Sequence, residues 1–262
     1  MPLWSDAEAT VPNVRPALLA ALSTKLGLAV GAEDVMAYIA GIAAHPAYTA
    51  RFQEDLSTPG LRIPFTADAA LFRRVAEAGR RVIWLHTFGE RMADEGAGRP
   101  AGPPRMPSGK RPTIPAKGTI PADTDSLDWD GSKERLLVGG GYVDHVPAPV
   151  WQYKVSGKQV LVQWFSYRRK TRDRPIIGDH RPPSLLGNIQ PEGWLAEYTT
   201  ELLNVLNVLG LLVELEPEQA ALLEEVCNGP VITEEELHKA GAFVGVDAAK
   251  STSNAPDLFE GG

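Results

Sequence analysis

The densest chemistry in the sequence lies between Trp164 and Arg174, WFSYRRKTRDR, where aromatic side chains give way to Arg168, Arg169, Lys170, Arg172 and Arg174. With Lys154 and Lys158 just upstream, these cations suit phosphate oxygens, which guanidinium and ammonium groups bind with release of counterions. Phosphate contacts carry no sequence choice. Reading bases requires Arg, Lys, Asn or Gln side chains at a groove edge, and Arg105, Lys110 and Arg111 are the candidates for that task. They sit in a stretch that also holds Arg99 and Lys117. The plainer alternative is a solvated helix end. Trp164 and Phe165 fit the apolar face of a helix, so their own reading is core.

Other chemistry is thinly represented. There is no Gly-rich loop ending in Gly-Lys-Ser/Thr, no Gly-x-Gly-x-x-Gly and no Gly-x-Ser-x-Gly elbow, so no catalytic residue is assigned. GGGYVDH (Gly139 to His145) follows too short an apolar stretch to be a nucleotide loop. His45, His86, His145, His180 and His238 lack metal-ligand spacing, and no metal site is expected. DTDSLDWDGSKE (Asp123 to Glu134) imitates a calcium loop, but Leu127 and Asp128 occupy the positions that should supply an oxygen and the turn glycine. A hairpin with a polar turn is the better reading. Cys227, the single cysteine, sits at apolar helical spacing and reads as core.

The net charge of −7 hides a polarity along the chain. Residues 185–262 hold fourteen Asp/Glu against Lys239 and Lys250, whereas 151–184 hold eight Lys/Arg against Asp173 and Asp179. A basic patch on an acidic protein suits a polyanion bound at one surface, because local charge makes the local field. Neither a leader-like amino terminus nor a membrane-length apolar run is read from the sequence, so no membrane is expected and the expected location is the cytoplasm.

The elements that must position these residues read as α+β: a helical N-terminal part, a central irregular strand-rich region and a C-terminal helical hairpin. Helices are expected over 13–28 and 32–45, a break at Pro46, and a third helix capped by Thr66 running to about Leu85. Residues 92–121 lack apolar periodicity and read as a long loop. Short strands are expected at 126–129, 135–138 and 151–155, then a helix over 158–170. The hairpin is expected from Trp194 to Glu214 and from Pro217 to Gly229, followed by a helix with Thr233 and Glu236 as capping box. The expected domain layout is 1–91 helical, 92–184 strand and loop with the basic helix, 185–240 hairpin, and 241–262 a disordered tail.

Five segments in order carry a resemblance: PLWSDAEATVPN at Pro2, DVMAYIAGIAAHPAYTARF at Asp34, LRIPFTADAALFRRVAEAGRRVIWLHTFGER at Leu61, VWQYKVSGKQVLVQWFSYR at Val150 and WLAEYTTELLNVLNVL at Trp194. Together, from about Pro2 to Val231, they resemble the C-terminal specificity part of type ISP restriction-modification enzymes. A pattern shared with target-recognition regions of related methylating enzymes falls on Tyr153, Val155, Gly157, Val160, Trp164, Phe165 and Arg168. The resemblance implies a bacterial phage-defence protein that reads a duplex DNA sequence so that a methyltransferase can flip out an adenine. It implies double-stranded DNA, and methyltransferase and helicase-nuclease modules in cis or trans, as partners. S-adenosylmethionine and ATP would belong to those modules, with no cofactor in this chain. The sequence lacks the Asn/Asp-Pro-Pro-Tyr/Phe motif, so the chain is expected to be no enzyme by itself but a specificity piece bounded at the methyltransferase. The other reading is a non-catalytic subunit that docks on such a partner through its acidic hairpin and binds little DNA alone.

Overall fold

The computed structural model describes residues 3–58, 62–168 and 193–243. Among them are eight α-helices and two small antiparallel sheets, an α+β architecture with a helical C-terminal region. The described residues fall into two compact units, divided at 83/84 and at 215/216, the first drawn from both ends of the chain and the second from its middle.

The first unit is helical. α1 (Pro16–Leu26) starts with proline, whose missing N–H costs nothing in a first turn, and ends at Gly27 in the left-handed conformation. α2 (Ala32–Ala43) stops before Pro46, which opens α3 (Pro46–Arg51). The His45 Nδ1 accepts the Ala47 N–H and caps α3. α4 (Ala69–His86) is capped by Asp68, whose Oδ1 accepts from Ala70 and Leu71, rather than by Thr66. Thr66 lies two residues earlier, accepting the Asp68 N–H and forming a bridge with Val231.

The core of this unit centres on Tyr38, stacked between Phe65 and Phe72 at 4.9 and 4.8 Å, with Leu22, Ile42, Val75, Leu222 and Val226 also buried. Two glycines fix the α2–α4 approach. A Cβ at Gly79 would stand 1.6 Å from the Ala37 carbonyl oxygen, and one at Gly41 would stand 2.4 Å from the Val75 carbonyl oxygen. These helices therefore touch backbone to backbone.

The expected C-terminal hairpin is instead one helix, α7 (Ala196–Asn228), with Pro217 inside it. Proline removes one helical hydrogen bond at a cost of about 3 kcal/mol. Against that, Leu211, Leu212 and Leu215 before it and Leu222, Leu223 and Val226 after it are buried, each contributing about 1.5–3 kcal/mol when fully removed from water. Packing on both sides wins. α7 is also long and apolar enough to cross a membrane by length and composition, which the sequence reading had not recognised. Its buried leucines make it a core helix. α8 (Glu234–Lys239) carries the expected reciprocal Thr233–Glu236 capping box. The tail expected to be disordered lies, from residue 244, outside the described residues.

The second unit holds a meander of β1 (Leu127–Asp130), β2 (Arg135–Val138) and β3 (Gly141–Val143). The β1–β2 turn is the polar one expected, with Asp130 accepting from the Ser132 N–H and hydroxyl. The triple glycine belongs to the β2–β3 turn and its close backbone approach: a Cβ at Gly141 would lie 2.5 Å from the Thr119 carbonyl oxygen.

The strand expected over 151–155 is confined to β4 (Lys154–Val155), paired with β5 (Lys158–Gln159). Trp151 closes a short helix, α5 (Ala148–Trp151), because Pro147 and Pro149 favour a helical first turn there. α6 (Val160–Ser166) follows directly, with Leu161 and Phe165 buried. The stretch between α4 and β1 is irregular, with three short 3-10 turns, as its composition suggested.

Candidate nucleic-acid interface

The structure treats the sequence-derived cations in three ways. Lys154 and Lys158 lie on the two strands of the β4–β5 hairpin, both exposed, and among the described residues neither pairs with a carboxylate. The hairpin turns through Ser156 at φ 50° and Gly157 at φ 78°. Consecutive left-handed residues are the signature of the two-residue turn whose twist matches that of its strands. The base of the hairpin is fastened by the Val160 N–H to the Tyr153 carbonyl at 3.0 Å and by the Gln159 amide donating to the Trp151 carbonyl.

Arg168, at the end of α6, is held internally. Its Nε and Nη2 donate to Glu201 Oε2 at 2.9 and 2.7 Å, and Nη1 donates to the Trp164 carbonyl at 3.2 Å. The guanidinium lies 4.0 Å above the Trp164 ring and 5.8 Å from that of Tyr198. Behind it, Trp164, Phe165 and Tyr198 surround Trp194, whose indole N–H donates to Thr199. The motif's Trp164, Phe165 and Arg168 thus fasten α6 to the first turns of α7. Arg169, Lys170, Arg172 and Arg174 lie outside the described residues.

Arg105, Lys110 and Arg111 are exposed but engaged along α7 and their own loop. Arg105 Nη1 donates to Asn204 Oδ1, Lys110 Nζ meets Glu214 Oε1 at 2.7 Å, and Arg111 Nε donates to the Met106 carbonyl. The Met106 N–H donates to the buried Asn207 side chain, so this loop is docked rather than loose. A cavity of about 310 Å³ is lined by Met106, Lys110, Glu134, His145, Val150 and Glu214. Arg99, 3% exposed, donates through Nε to the Met92 carbonyl and serves its own loop. The partners of Arg105, Met106 and Lys110 lie 99, 101 and 104 residues away on α7, a separation no local sequence pattern displays.

Elsewhere the titratable groups show structural causes for their shifts. Burial lowers the His45 and His86 pKa values and raises that of the Cys227 thiol, the opposite of what a reactive thiolate needs. No cluster of metal-ligating side chains occurs among the described residues.

The profile of the Type ISP C-terminal specificity domain matches residues 1–202, and the chain belongs to that family. Among solved structures it is similar to a chain in a cryoEM structure of a DrdV–DNA complex. That match has 17% identity and a TM-score of 0.53, covering 84% of this chain and 20% of the other. At that identity the likeness is one of fold, and this chain spans a fifth of the length of its counterpart. No curated protein matches it.

Proposed function

We propose that the chain reads a duplex DNA sequence as the specificity part of a type ISP-like restriction-modification system, presenting the site to an adenine methyltransferase module. The observation that carries this reading is membership of a specificity-domain family across residues 1–202. The DrdV–DNA complex adds that a chain of similar fold is found with DNA. In this reading Lys154 and Lys158, with Arg169, Lys170, Arg172 and Arg174, take backbone phosphates. Arg168 and the groove candidates Arg105, Lys110 and Arg111 reach DNA only by exchanging their present partners. S-adenosylmethionine and ATP belong to the methyltransferase and helicase-nuclease modules. A bacterial cytoplasm, and defence against phage, are the setting such a system requires.

Docking through an acidic C-terminal face is less well supported. Glu201, Glu214, Glu225 and Glu236 already neutralise Arg168, Lys110, Arg74 and Lys25. Incubating the chain with a randomised duplex library and sequencing what it retains tests the proposal. An enriched motif is expected; retention without enrichment, or none, would overturn autonomous reading.

A further inference from the structure

Among the cations assigned to DNA, the described ones divide sharply. Four are spent on neighbours, whereas Lys154 and Lys158 flank a hairpin tip on which Val155 is 54% exposed. Val155 lies directly across the hairpin from Lys158, and among the described residues neither lysine has a carboxylate partner. The strands are only two residues each, but Ser156 and Gly157 hold the tight turn, and α6 follows with Leu161 and Phe165 buried. A two-stranded ribbon fits the major groove, about 12 Å wide, whose walls are phosphates and whose floor carries the thymine C5-methyl group.

We propose that the β4–β5 tip is the element that enters the major groove, with Lys154 and Lys158 on the phosphates of its walls and Val155 against a thymine methyl. This rests on the DNA-reading function proposed above and names the element that performs it. It also assigns base contact to a residue that charge-based reasoning passes over. The loop with Arg105, Lys110 and Arg111 then braces α7.

The test uses the full chain as wild type, Val155→Ala and Lys154→Ala/Lys158→Ala, on duplexes selected by the wild type. Each duplex is prepared with thymine and again with uracil, which lacks only the methyl group. The wild type should favour thymine about fourfold at one position, the factor expected for burying one methyl. Val155→Ala should bind both duplexes equally with an unchanged salt slope. The lysine pair should keep the thymine preference and lower the log–log salt slope by about two, roughly one per lost phosphate contact. Equal binding of both duplexes by the wild type, a persistent thymine preference in Val155→Ala, or an unchanged slope in the lysine pair would overturn the assignment while leaving DNA reading intact. Failure of the wild type to retain any duplex would overturn both.

Discussion

Arg168 illustrates why residue type alone does not define a site. Its place in a run of arginines reads as a phosphate contact, whereas its guanidinium lies on the Trp164 ring and donates twice to Glu201. We read it as a positioning residue that fixes the end of α6. Arg168→Ala and Glu201→Ala should each destabilise the chain, and a double-mutant cycle in denaturant should give a coupling of about 1 kcal/mol. A coupling near zero would show the pair to be incidental. Glu236 offers a second residue-scale measurement. Lys25 and the Thr233 N–H and hydroxyl hold its carboxyl down at about 2. A depressed folded-state pKa stabilises above the unfolded value, about 4.3, and that stability is lost as pH falls towards 2. Glu236→Gln should therefore lie below wild type at pH 7, with the gap closing between about pH 4.5 and 2; a gap independent of pH would contradict this.

At the scale of elements, local signals worked where local physics decides. The break at Pro46, the Thr233 capping box and the polar β1–β2 turn were legible because each depends on backbone chemistry within a few residues, whereas α1, expected to run to 28, stops at the left-handed Gly27. Pro217 was misread because the force that keeps α7 continuous is burial of leucines on both sides, which sequence does not display. Likewise Gly41 and Gly79 look like weak points in α2 and α4 until their helices are seen in backbone contact. Gly79→Ala should cost about 1–3 kcal/mol or more by thermal or denaturant unfolding, since the obstructing atom is a carbonyl that cannot swing aside. A neutral effect, as expected for an open helical position, would refute that packing.

At the scale of the whole molecule, family membership was legible from five ordered segments, and the profile match over residues 1–202 establishes it. The site was legible only in part. Lys154 and Lys158 could be named from charge, but which cations remain available depends on pairings with α7 that no local pattern encodes. The basic segment beyond Arg168 lies outside the described residues, so the β4–β5 hairpin carries the structural case. The most direct measurement is the affinity of the wild-type chain for its selected duplex and for a scrambled duplex of the same length, each at two salt concentrations. Specific reading predicts a ratio of about 10³ or more, with both affinities falling as salt rises. Equal affinities at both salts would mean that the chain holds phosphates without reading sequence, and would contradict its proposed function.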